Sequence, residues 1–140
     1  MFRIKTLFKV TVLALVTILL SSCESNSWFH SEDTLKSKIQ KTWDLVLPHK
    51  PYEWIFKEGK FQQFEYGSIG IIDSTSGNYS IRTTYTKAFL TITDVPADKD
   101  AQYGGLNATW EIIELDGGLL FIASDFGGST GLNQKEFTER

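Results

Sequence analysis

Cysteine is nearly missing from this chain. Its 140 residues hold one, Cys23, so no internal disulfide can staple the fold and side-chain packing has to hold it. Histidine is almost as scarce: His30 and His49 are far apart, cannot build a zinc site of the usual kind without carboxylates, and lie outside any segment that reads as a rigid strand. No Gly-x-Ser-x-Gly elbow appears, which argues against a serine hydrolase of that type. Gly127, Gly128 and Gly131 precede a predicted strand rather than a helix, so they serve turns and do not cradle a phosphate. Asp98, Asp100 and Gln102 have the spacing of oxygen ligands, but Tyr103 and Thr109 stand where a calcium loop needs Gly and Glu. Asp44, Glu53, Glu65 and Glu111 fall on the outward phase of their predicted strands, as solvated surface does. These absences lead to the expectation of no enzyme activity, no metal and no cofactor.

A long apolar run is lacking too. The longest, Val10 to Leu20, has eleven residues, against ~20 for a helix that crosses the hydrocarbon core. It follows Arg3, Lys5 and Lys9 and ends at Ser21-Ser22-Cys23, the layout of a signal peptide over residues 1–22. Leu20-Ser21-Ser22-Cys23 resembles the lipobox of bacterial lipoproteins, with a branched aliphatic, two small residues and the cysteine that takes the lipid. That resemblance implies lipid attachment, palmitate-type acylation included, at Cys23 and cleavage just before it. It also explains why a lone thiol is tolerated in an oxidising compartment. Two or more acyl chains moor a protein stably, whereas one is marginal, so the expected partner is a membrane, in the bacterial cell envelope. Glu24 in place of an Asp leans towards the outer membrane and leaves the leaflet open. Cleavage takes the net charge from −3 to −6, which argues against nucleic acid as a partner.

The mature chain has room for one domain. Residues 23–31 read as a tether and residues 32–140 as a folded domain. Ser31 is placed to cap a short helix over 32–41, with Leu35 and Ile39 on one face. From Thr42 the hydrophobic period is two: Trp43, Leu45 and Leu47, then Tyr52, Trp54 and Phe56 beyond the Pro48 to Pro51 turn. Glu58-Gly59 predicts a hairpin into a strand over 60–66, in which Phe61, Phe64 and Tyr66 slip phase as at a bulge. Further strands are predicted at 68–73, 78–84, 88–95, 106–115, 119–124 and 132–138. A turn is read at Ser74 to Gly77, a long connection at Pro96 to Gly105, and a hairpin at Asp116-Gly117-Gly118. Eight or nine short strands in hairpin order with no βαβ rhythm predict an all-β, antiparallel up-and-down barrel, because closure removes free edges.

Lys41-Thr42-Trp43-Asp44-Leu45, Trp54-Ile55-Phe56 running into Glu58-Gly59-Lys60, Gly77-Asn78-Tyr79-Ser80-Ile81, and Thr109 to Leu115 before Leu119-Leu120-Phe121-Ile122 resemble the small lipocalin-like lipoproteins of bacteria. The resemblance covers about residues 34–138. It implies that Trp43 plugs the closed end of the barrel, although Lys41 stands where the family pattern has Gly. A late basic residue normally packs on that tryptophan, and Lys135 and Arg140 are the candidates. It also implies a cup for a small apolar or amphipathic ligand, since an eight-stranded barrel encloses side chains or one small molecule. Trp54, Phe56, Tyr79, Ile81, Trp110 and Ile112 take the inward phase and are the candidate ligand-binding residues. The rival expectation is a protein–protein interaction module, an accessory subunit or inhibitor, whose envelope partner meets the outer wall or the 96–105 connection.

Overall fold

Ser31 opens the first element as the capping pattern predicts: its Oγ accepts the backbone N–H of Thr34 at 3.2 Å. Helix α1 (Glu32–Ile39) follows, with acids in its first turn and lysines in its last, the charge order that the helix dipole favours. It ends two residues earlier than the sequence predicts. The computed structural model describes residues 31–124 and 133–140. The signal segment, Cys23, the tether up to His30 and the stretch from Asp125 to Leu132 lie outside the described residues.

Eight strands follow: β1 (Thr42–Leu47), β2 (Tyr52–Lys57), β3 (Lys60–Gly67), β4 (Gly70–Thr83), β5 (Ala88–Thr93), β6 (Thr109–Asp116), β7 (Leu119–Ser124) and β8 (Asn133–Glu139). Each pairs antiparallel with its neighbours in chain order, and β8 returns to β1 to close the barrel. The predicted fold class therefore holds, with one strand fewer than the upper expectation. Residues 68–73 and 78–84 are not separate strands; both belong to the 14-residue β4, and the reversal lies earlier, between Gly67 and Gly70. Ser74 to Gly77 looked like a turn because small polar residues dominate it. Its backbone instead runs straight through the ladder, opposite Phe61 to Phe64 of β3. The connection at 96–105 holds a short helix, α2 (Ala97–Gln102).

Two hairpins form as predicted. Glu58 and Gly59 both have positive φ, as do Gly117 and Gly118, the backbone that matches a tight two-residue turn to the twist of its strands. The phase slip read in β3 is present as a register shift between Glu65 and Tyr66, one step later than the side-chain pattern suggests. Phe61 and Gln63 accordingly point inwards and Phe64 outwards.

The core fills the barrel from the α1 end upwards. Leu35 and Ile39 of α1 are buried with Trp43, Ile81, Leu115 and Leu120. Trp43 donates its indole N–H to the Ile39 carbonyl at 2.9 Å, which satisfies one of the acceptors that a helix end leaves free. Above this plug lies an aromatic layer. Trp54 meets Phe61 edge-on at 5.0 Å and Trp110 edge-on at 6.4 Å, Phe56 meets Tyr79 edge-on at 5.0 Å, and Phe137 lies tilted against Trp54 at 4.7 Å. Edge-to-face pairs of this kind contribute ~0.5–1.5 kcal/mol each beyond their area burial.

β4 crosses this layer at Gly77, opposite Phe61, because no side chain fits there. A Cβ on Gly77 would lie 2.4 Å from the Thr93 carbonyl oxygen and 2.9 Å from Val95 Cγ2. Gly77→Ala is expected to destabilise the barrel by about 1–3 kcal/mol, as overpacking a fixed backbone does. The exposed neighbour change Ser76→Ala should stay within about 0.5 kcal/mol. Urea midpoints of the two variants against the wild type test this; equal midpoints would contradict the packing described here.

Candidate functional site

The end of the barrel opposite α1 differs in chemistry from the plugged end. Here the inward positions of β3, β4, β7 and β8 are polar: Gln63, Thr75, Ser124 and Lys135, with exposures of 1, 8, 5 and 8%. The strand period places each of them inside. Gln63 shares the face of Phe61, Thr75 that of Tyr79, Ser124 that of Ile122 and Lys135 that of Phe137. Gln63 and Thr75 are direct cross-strand partners. Lys135 faces Ile122 across β7–β8, one inward step from Ser124.

The hydrogen bonding of this layer is lopsided. Trp54 donates its indole N–H to Gln63 Oε1 at 2.6 Å, which fixes the carboxamide with its NH₂ group turned away. Gln63 Nε2, Thr75 Oγ1 and Ser124 Oγ are buried without a hydrogen-bond partner among the described residues. The Lys135 ammonium lies 5.9 Å from the ring centre of Trp54 and 5.4 Å from that of Trp110, a cation–π position between two indoles. No carboxylate among the described residues pairs with it. Burial pushes its pKa below the ordinary lysine value, and the nearby Lys50 charge adds to the shift.

Above the polar layer, α2 and Tyr103 are latched to β4 through one carboxylate. Asp73 accepts Lys99 Nζ at 2.6 Å on both oxygens, Gln102 Nε2 at 2.8 Å and the Tyr103 hydroxyl at 2.8 Å. These donors, Lys99 foremost, hold Asp73 well below the usual carboxylate range. A depressed folded-state pKa means that the latch contributes stability above the unfolded value of about 3.9. That contribution is lost only as pH falls through the lowered value. Tyr103 is buried and meets Tyr52 edge-on at 5.4 Å; burial, then Asp73, pushes its phenol above the ordinary range. Asn107 ties the far side of the connection, accepting from the Val95 N–H at 3.0 Å and donating to the Val95 carbonyl at 2.9 Å.

The residues singled out by phase all face the interior, but not in one role. Trp54, Phe56, Tyr79 and Trp110 form the aromatic layer and touch one another. Ile81 is buried nearer the plugged end. Ile112, only partly buried, also lines a surface cleft of about 800 Å³ between the start of α1, the β4–β5 turn and β6. The lining of this cleft includes the Lys87–Glu111 ion pair, whose charges already answer each other. The buried, unpartnered polar groups make the stronger site.

Of the two late basic residues, Lys135 stacks on Trp54 and Trp110, and Arg140 lies over Tyr66 on the outer wall, bridging Asp44 and Glu53. Glu53 does point outwards, yet Tyr66 and Arg140 bury it, so it is not the solvated carboxylate expected. Glu65 departs from its expected outward phase: it shares the face of Gln63 and accepts from the Tyr103 hydroxyl at 3.3 Å. The acids of the 96–105 connection are used locally, with Asp100 accepting the Asn107 N–H at 2.6 Å. Among the described residues no three His, Cys, Asp or Glu side chains gather as a metal site.

Burying an unpaired ammonium works against folding, and the sign is testable. Because the folded-state pKa of Lys135 lies below its unfolded value, the penalty is full below the folded pKa and fades as pH rises towards about 10.4. Lys135→Met keeps the volume and removes the charge. It is expected to raise stability by about 1 kcal/mol at pH 7 after the lost cation–π contacts are counted. That gain should shrink as pH rises towards about 10.4 in denaturant titrations. A gain that does not change with pH would refute the assignment.

No family model matches this chain, and no curated protein matches it. Among solved structures, it is similar in fold to an uncharacterized protein from Bacteroides eggerthii DSM 20697, with a TM-score of 0.51 and 14% identity. The match covers 73% of this chain and 99% of that one. At this identity the likeness is one of fold alone.

Proposed function

We propose that this chain is a lipid-anchored lipoprotein of the bacterial cell envelope, whose lipocalin-like barrel holds a small apolar or amphipathic molecule and carries out no catalysis. The observation that carries the binding reading is the polar layer: an interior otherwise packed with aromatic rings keeps a buried ammonium and three unpartnered polar atoms at the end away from the plug. Buried polar groups are costly without partners. An occupant that supplies them turns that cost into affinity. The short helix, the plugging Trp43 and the closed up-and-down order favour the lipocalin-like description. The anchor rests on Leu20-Ser21-Ser22-Cys23. Its expected place is the outer membrane.

A second reading, a protein–protein module, is favoured by one feature. The β3–β4 hairpin exposes Ile69, Ile71 and Ile72, the first of them completely. Apolar side chains grouped at a hairpin tip suit a partner surface. Crosslinking from position 69 in intact cells distinguishes this reading, since it predicts one envelope protein captured in stoichiometric amount.

Two outcomes are expected for the leading reading. Cys23→Ala should abolish metabolic labelling with an alkynyl palmitate and release the protein from the membrane fraction; unchanged labelling would remove the anchor from the proposal. Titration of the intact lipoprotein in nanodiscs with uncharged medium-chain amphiphiles should shift tryptophan emission saturably, because Trp54 and Trp110 border the site. A flat response across such ligands, with no small molecule in organic extracts of the purified protein, would end the carrier reading.

A further inference from the structure

We infer that the polar layer recognises a carboxylate: the ligand of the barrel is a small monocarboxylic acid whose anionic head lies among Lys135, Gln63, Thr75 and Ser124. This inference rests on the binding function proposed above and names the chemistry of its ligand.

Trp54 donates to Gln63 Oε1 at 2.6 Å, so the end of the carboxamide that has no partner among the described residues is its NH₂ group, a pair of donors. Thr75 and Ser124 each bring a buried hydroxyl with a proton to give. Lys135 adds three donors and a full positive charge. The layer is thus rich in donors, and no anion among the described residues answers them. An amide or an alcohol would leave the ammonium unneutralised; a carboxylate accepts up to four hydrogen bonds and supplies the missing charge. The indole faces of Trp54 and Trp110 hold the ammonium from the sides, which keeps its position fixed before the ligand arrives. The apolar remainder of the acid is directed to the mouth, where Tyr52 meets the buried Tyr103 edge-on beneath the Asp73–Lys99 latch.

Octanoate and its neutral counterpart octanamide are the probes, titrated against the intact lipoprotein in phosphatidylcholine nanodiscs at pH 7, with empty nanodiscs subtracted and tryptophan emission followed. Octanoate should bind saturably and at least tenfold more tightly than octanamide. Lys135→Met should weaken octanoate at least tenfold and leave octanamide within twofold, and Thr75→Val should weaken octanoate several-fold. Circular dichroism checks that both variants fold. Should the lysine variant fail to fold, the wild type alone decides: octanoate affinity must fall as pH is raised from 8 to 10.5, while octanamide affinity holds.

Equal binding of both probes, unchanged in Lys135→Met, would overturn the carboxylate inference and leave the binding function standing. Binding of neither probe would overturn the inference and also count against that function, with buried water as the partner of the layer.

Discussion

The seam between β1 and β8 is the contact on which the rest of the molecule depends. Pairing Leu45 with Phe137 and Trp43 with Glu139 turns an eight-stranded ribbon into a tube without an open edge. An unpaired edge is an invitation to aggregate, and a chain with no second cysteine has no staple to compensate for one. The same seam brings β8 against the rings of β2. Phe137 reaches Trp54 at 4.7 Å, and the ammonium of Lys135 reaches that same indole. Closure, core and candidate site therefore share one set of side chains.

A barrel closed this way has two ends that need not resemble each other. At one, α1 lies across the opening and Trp43 ties itself to the last turn of the helix, so the interior there is apolar and packed. At the other, the connection from β5 to β6 spans the mouth and is held by an ion pair and hydrogen bonds converging on Asp73 together with the buried Val95, Tyr103 and Leu106. Hydrogen bonds at a partly solvated rim open more readily than a hydrophobic plug. The asymmetry gives the tube a direction, from a sealed floor to a polar layer near a latched mouth.

Much of the architecture was legible from residue order. The period of two in Trp43–Leu47 and Tyr52–Phe56, the positive-φ turns at Glu58-Gly59 and Gly117-Gly118, and the Ser31 cap each appear where local chemistry puts them. The reading failed where local chemistry misleads. Ser74 to Gly77 carries the composition of a turn, yet Gly77 is needed for room beside Thr93 and not for flexibility, and Thr75 for its inward face. Gln63 was overlooked as an interior residue because polar side chains are expected outside, and Lys135, expected on Trp43, lies over Trp54 and Trp110 instead. The signal was present in their period: each lies two residues from a buried phenylalanine, Phe61 and Phe137. Glu53 was misjudged in the other direction, facing outwards but covered by Tyr66 and Arg140 from 87 residues away.

Sequence alone determined the strand count to within one, the antiparallel hairpin order, the capping helix and the aromatic faces, because each follows from interactions among residues a few positions apart. Only the tertiary structure decided which polar side chains share the interior with those aromatics. It also decided that Trp54 takes the acceptor of Gln63, and that one aspartate on β4 fastens the far connection. These outcomes depend on strand register and on closure, which bring together groups dozens of residues apart, and no local pattern fixes how such distant strands meet.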